Sequence, residues 1–264
     1  MGRVPAVARM NILLTDILTC PRCGPAFGLI LLTDRTAERR VLDGVLGCAN
    51  CREKYPVRGG AALFAGPLPD GRARSAKGAQ DSTLPADAGA FSDADSQTSD
   101  SGSPTDDAAA ADSGQAMRLA ALMGVTGGPA FVMLAGPAAL RATEVAGLLE
   151  GVEIVAAAFT QQPGAGTPAG GGAESRAAGS TAGSEHGVNR MTVPAALPFA
   201  GASFAGVVLS GPAADALLEE GARVTTPLGR LVLEPAPADA APRLTAAGFR
   251  LLLHEGSTVI AGRH

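Results

Sequence analysis

Cys20-Pro21-Arg22-Cys23-Gly24 is answered further along the chain by Cys48-Ala49-Asn50-Cys51, and these are the only four cysteines among 264 residues. Two Cys-x-x-Cys pairs read as a four-thiolate metal site, because each pair can wrap one edge of a tetrahedral ion. Pro21 presets one dihedral of the first turn. Gly24 lets the chain pass the second sulfur, where a backbone N–H can donate to it. With Cys20, Cys23, Cys48 and Cys51 as ligands and no histidine nearby, the site is closed, hence structural and not catalytic. Zinc suits four soft thiolates, and iron with the same ligands also fits. Two disulfides are disfavoured in a reducing compartment, and a redox dithiol leaves the second pair unexplained.

Working outward, residues 11–65 form one small β unit. The segment 11–18 has apolar spacing for a short helix or turn into the first knuckle. Segments 27–32 and 41–46 read as strands joined by a charged tip at 34–40, a hairpin that brings the second cysteine pair back to the first. Residues 55–57 and 62–64 flank a turn at Arg58-Gly59-Gly60. A unit of this size is marginal on burial alone, so a metal staple is physically reasonable. Replacing Cys48 by Ser is expected to unfold this unit and release zinc while leaving the α/β domain folded, as two independent units would behave. Residues 1–58 carry nine basic against five acidic side chains, a mildly basic surface that offers RNA a weak footing through Arg39 and Arg40.

Composition limits the alternatives. The chain is 46% hydrophobic with a net charge of −4, and it has no Trp and one Tyr, so aromatic platforms for single-stranded nucleic acid are not expected. The N-terminal stretch has no apolar run fit for a signal peptide, Ala6 stands where a myristoylation signal wants Ser or Thr, and no stretch is long enough to span a membrane. A cytoplasmic location is the expectation. Residues 66–115 are rich in Gly, Ala, Ser, Pro and Asp, with no Lys or Arg after Lys77. Such a segment cannot offset its ordering entropy by burial and reads as a disordered acidic linker.

From 116 to 264 strand-like and helix-like segments alternate, which predicts an α/β domain with a mostly parallel sheet. The expected strands are 130–134, 152–157, 205–209 and 230–233, with helices at 117–122, 137–149 and 213–220. An antiparallel pair at 249–253 and 257–261 closes the chain, and a low-complexity insert occupies 160–188. Glu153, Glu234 and His254 are the polar residues near predicted strand ends. His186 and His264 read as solvated bystanders.

Leu18-Thr19-Cys20-Pro21-Arg22-Cys23, then Leu42-Asp43-Gly44-Val45-Leu46-Gly47-Cys48, then Tyr55-Pro56-Val57-Arg58-Gly59-Gly60 resembles the zinc-ribbon family of tRNA-methyltransferase activators (Trm type). That resemblance implies a non-enzymatic ribbon that binds methyltransferase domains by sheet extension and apolar contact. The second half is similar to a class I, Rossmann-like methyltransferase domain that uses S-adenosylmethionine. The similarity lies in Leu197-Pro198-Phe199 with Ser203-Phe204, in Pro227-Leu228-Gly229-Arg230-Leu231-Val232-Leu233, and in Ala247-Gly248-Phe249.

The resemblance also implies cofactor parts that this chain lacks. After the first strand stands Leu134-Ala135-Gly136-Pro137-Ala138, with one glycine and no acid, so Gly136 is the single candidate for a cofactor contact. Val155-Ala156-Ala157-Ala158 offers no carboxylate for a ribose, since Glu153 comes at the start of its strand. Gly206 stands where the family carries aspartate, and only Ser210-Gly211-Pro212 follows the fourth strand. The reading is therefore a reduced, degenerate methyltransferase-like domain with no catalytic residues, and S-adenosylmethionine is not expected to bind. The function expected is a non-catalytic zinc-binding scaffold or regulator associating with a methyltransferase or translation-linked partner. The alternatives are an active methyltransferase with a built-in activator ribbon, and an RNA-binding zinc-ribbon protein.

Overall fold

The computed structural model describes residues 9–64, 106–159 and 187–264. His186, most of the expected linker (66–105) and nearly all of the expected insert (160–186) lie outside the described residues.

The ribbon begins with β1 (Met10–Asn11), a 3-10 turn at Ile12–Asp16, and β2 (Thr19–Cys20). The hairpin follows as β3 (Gly24–Ala37) and β4 (Arg40–Cys48), then β5 (Lys54–Arg58) and β6 (Ala61–Leu63). Its strands are longer than expected because the turn is tight: Glu38 and Arg39 alone close it, both with positive φ (51° and 61°). That backbone matches the right-handed twist of the flanking strands.

The rest comprises α1 (Asp106–Met123), β7 (Ala130–Ala135), a 3-10 helix Gly136–Arg141 running into α2 (Ala142–Leu148), and β8 (Val152–Phe159). After the undescribed stretch come β9 (Val188–Val193), β10 (Phe204–Ser210), α3 (Ala213–Ala216), α4 (Leu218–Val224) and β11 (Thr225–Glu234). The chain ends with α5 (Ala240–Ala246), β12 (Phe249–Glu255) and β13 (Thr258–Arg263). The expected strands and terminal antiparallel pair are all present. Strand β9 and helix α5 were not foreseen, and α1 starts inside the stretch expected to be linker.

Strands β9, β8, β7, β10 and β11 lie side by side and parallel, in the doubly wound order 3-2-1-4-5, and β13 and β12 extend them antiparallel. The central strands are continuous apolar runs because helices cover both faces. On one face α1 and α2 bury Leu119, Met123, Val132, Leu134, Val145 and Ile154. On the other, α3 to α5 pack with Met133, Val207, Leu209, Leu231 and Leu244.

The ribbon does not stand apart. Strand β6 pairs in parallel with β9, setting Ala61, Ala62 and Leu63 opposite Arg190, Met191 and Thr192. All thirteen strands thus belong to one sheet. Met10, Leu14, Leu18, Leu46, Val57 and Phe64 of the ribbon join the same apolar cluster as Met133, Val155, Met191 and Phe199. Backbone bonds add to the seam: Thr19 N–H donates to Pro198 C=O (2.9 Å), Ala200 to Ile17 (2.8 Å) and Phe64 to Thr192 (3.1 Å). The expected independence of the ribbon is corrected. Its core closes only against the α/β domain, because a unit this thin cannot cover its own apolar face.

Candidate metal centre and strand-end crevice

Cys20 ends β2, Cys48 ends β4, and the hairpin between them returns both knuckles to one place. Gly24, at φ +91°, adopts the left-handed backbone that carries the chain past Cys23. The four sulfurs all lie within 4.8 Å of one another, and none is in a disulfide. Cys20 Sγ is 3.7 Å from Cys51 Sγ, and Cys48 Sγ is 3.8 Å from Cys23 Sγ. Four thiolates at about 2.3 Å from a tetrahedral zinc would sit about 3.8 Å apart along each edge. The donor set and spacing therefore fit zinc, held by Cys20, Cys23, Cys48 and Cys51. Bound there, the ion would supply a cross-link between two knuckles.

The surroundings pull two of the sulfurs in opposite directions. Backbone N–H groups of Cys51 and Asn50 hold the Cys48 thiol down at about 7 against the opposing effect of burial. For Cys51, the Glu53 amide favours the thiolate, but burial and the three neighbouring sulfurs push the thiol up to about 12. Four sulfurs this close share charge badly unless a cation sits among them. Asn50 Nδ2 donates to Cys23 Sγ (3.3 Å), and the Tyr55 hydroxyl lies 3.5 Å from Cys20 Sγ. Burial, and then that sulfur, hold the Tyr55 hydroxyl well above the usual phenol range, so it stays a neutral donor.

The other sequence-picked residues are scattered. Glu153, second in β8, faces the ribbon: Arg40 Nη1 and Nη2 donate to its two oxygens at 2.8 and 2.6 Å, and Asn189 Nδ2 donates at 2.9 Å. Asn189, fully buried, also accepts from the Asn11 N–H (2.6 Å) and donates to the Ile154 carbonyl (3.2 Å). Burial works to raise the Glu153 pKa, but the hydrogen bonds and charge of Arg40 together with Asn189 outweigh it and hold the carboxyl below its ordinary value. Arg40 is therefore committed to the seam, and only Arg39, exposed at the hairpin tip, keeps the position foreseen for an RNA contact. His254 is exposed on β12, opposite Val259 of β13, and His264 is exposed at the last residue.

Gly136 stands at the C-terminal end of β7, beside the point where the strand order reverses. Its φ is +73°, and a Cβ there would run into the Ser210 carbonyl oxygen at the end of β10. Ser210 Oγ accepts from the Ala138 N–H (2.7 Å) and donates to the Ala135 carbonyl (2.8 Å). The side chain thus bridges the crevice and satisfies an amide that would otherwise be free to face a ligand. Pro137 packs against Gly211 over the same gap. A cleft of about 390 Å³ opens beside it, lined by Arg118, Leu119, Leu140, Arg141, Glu234 and Pro235 among others. Arg118 Nη1 donates to both oxygens of Glu234 at 2.8 Å, and Nη2 to Thr258 Oγ1 at 3.2 Å. Sequence reasoning missed Asn189 and Arg118, and it named Arg40 and Ser210 without foreseeing the contacts they make. Each acts through a residue distant in the chain, and no local pattern marks it.

Residues 11–60 match the family model of Trm112p-like proteins. No curated protein matches the chain. Among solved structures, the [4+2]-cyclase SpnF is 17% identical with a TM-score of 0.39, over 55% of this chain and 59% of the cyclase's own length. Geranyl diphosphate methyltransferase is 11% identical with a TM-score of 0.41, over 58% of this chain and 78% of that one. A complex of the Haloferax volcanii Trm112 methyltransferase activator with a proposed methyltransferase is 18% identical with a TM-score of 0.36, over 55% and 75%. Residues 11–60 are thus similar to Trm112p-like proteins, and the part of the chain joined to them is a doubly wound α/β sheet of order 3-2-1-4-5.

Proposed function

We propose that this chain is a fused activator and methyltransferase-fold scaffold, in which a zinc-stapled ribbon serves its own α/β domain instead of a separate methyltransferase. The single observation that carries this is the parallel pairing of β6 with β9. The edge a ribbon of this kind would offer to another sheet is occupied in cis, and Arg40 locks it to Glu153. Zinc at the four cysteines fixes the knuckles, the knuckles hold Leu14 and Leu18 against Phe199, and the ribbon in turn covers β9. The partner expected in trans is, on this reading, built into the chain. Four reduced thiols at metal-site spacing go with a reducing, cytoplasmic setting.

The domain is proposed to be non-catalytic toward S-adenosylmethionine. Three features support this: the Ser210 bridge across the strand-end crevice, the packing of Gly136 on Ser210, and the absence of a carboxylate at the end of β8. Calorimetric titration of the full, zinc-loaded chain with S-adenosylmethionine tests it. No saturable heat up to about 1 mM is expected, and micromolar affinity would overturn it. The cleft beside Glu234 favours a second reading, an active enzyme with an unusual site. It predicts saturable binding that a Glu234→Gln change weakens.

A further inference from the structure

Among the described residues, β12 is the last strand of the sheet, and its outer edge pairs with nothing. An open edge exposes a row of backbone donors and acceptors, and natural proteins usually blunt it with charge or cover it. Here the strand instead carries Leu251, Leu252 and Leu253 at 37%, 42% and 39% exposure, flanked by exposed Arg250 and Glu255.

The way these side chains are distributed between faces is informative. Arg250 stands opposite Gly262, Leu253 opposite Ile260 and Glu255 opposite Thr258, all on one face of β13. The register shift between Leu251 and Leu253 makes this possible, because the extra residue, Leu252, restores the parity that an odd spacing would break. Leu252 lies on that face too, with its Cδ1 3.2 Å from the place a Cβ on Gly262 would take. One face of the open edge therefore reads Arg, Leu, Leu, Glu in order. The other carries Leu251 and His254, opposite Ala261 and Val259.

That order is its own complement when reversed. We infer that β12 pairs antiparallel with β12 of a second copy about a twofold axis between Leu252 and Leu253, forming a homodimer with a continuous sheet. In this register Arg250 of each copy meets Glu255 of the other, Leu252 meets Leu253 on the same face, and Leu251 meets His254 on the opposite face. Four leucines are enclosed between two ion pairs. Sliding the strands by two residues in either direction uncouples both ion pairs, so charge selects the register. Such an interface is isologous, as a closed twofold dimer requires. A pairing of one short strand falls in the small-interface class, where association is weak and reversible.

Sedimentation velocity of the full, zinc-loaded chain between about 1 and 100 µM tests this. The expected result is a concentration-dependent shift to twice the chain mass. Arg250→Glu alone and Glu255→Arg alone should each weaken the dimer by about tenfold or more, and the double exchange should restore it. Rescue by the double exchange separates lost pairing from lost folding. A monomer across the whole range would leave the edge to some other occupant and overturn the proposal. A dimer indifferent to the single reversals would place the contact elsewhere and overturn it equally.

Discussion

Arg40→Ala is the substitution that probes the seam most cleanly. The guanidinium gives two short hydrogen bonds to Glu153, and the two side chains are only 16% and 20% exposed. Removing one partner of a buried pair costs about 3–5 kcal/mol, and the residual solvent here brings the figure to about 2–3 kcal/mol. Asn189 keeps its bond to Glu153, which also works toward the lower end. At about 2–4 °C per kcal/mol for a chain of this size, the melting temperature should fall by about 5–10 °C. Arg39→Ala is the control, since Arg39 is exposed in the turn next door, and it should shift melting by less than about 2 °C. Scanning calorimetry with parallel circular dichroism is the assay. The loss should appear as one cooperative transition moving down, because ribbon and α/β domain share a sheet and a core. Equal melting of the two variants would refute the reasoning. So would a low-temperature ribbon transition that leaves the main one unmoved.

Other outcomes rest on the same contacts. Because Glu153 is held below its ordinary value in the folded chain, its contribution is present above about pH 4.5 and is lost as pH falls through the folded value; acid titration of melting should therefore show less loss in Glu153→Gln than in wild type. Ser210→Ala removes the bridge between Ala138 and Ala135 and should cost about 1–2 kcal/mol in denaturant unfolding, with the slope unchanged. Gly136→Ala forces a Cβ into the Ser210 carbonyl at a left-handed backbone and should cost more than about 2 kcal/mol by the same measurement. Cys48→Ser should abolish stoichiometric zinc in mass spectrometry of the native protein and lower the melting of the whole chain, not of the ribbon alone.

The gathering of the four cysteines was legible from spacing because metal chemistry imposes a local pattern on sequence. Cys20, Cys23, Cys48 and Cys51 meet as their two pairs imply. The central strands were legible as well, since burial on both faces writes runs such as Phe131-Val132-Met133-Leu134. Strand β9 carried a fair signal in Val188, Met191 and Val193, but it is short and directly follows low-complexity sequence. The pairing of β6 with β9 was not legible at all. It joins Ala61–Leu63 to residues about 130 positions away, and nothing in either segment names the other. Glu153 looked misplaced for a ribose contact, and its partner Arg40 looked like surface charge. Only the fold makes them one pair. Gly136 kept its place at the strand end, but whether a lone glycine there faces a ligand or a neighbouring loop depends on Ser210, which comes from another strand.

The claim that the ribbon serves its own domain is tested most directly by amide hydrogen exchange before and after zinc is removed with a chelator. Loss of zinc should loosen the knuckles and, through β6, strip protection from Val188–Val193 together with Ala61–Leu63. If exchange rises only within residues 11–60 and β9 stays as protected as before, the ribbon is a passenger on the sheet and the account fails.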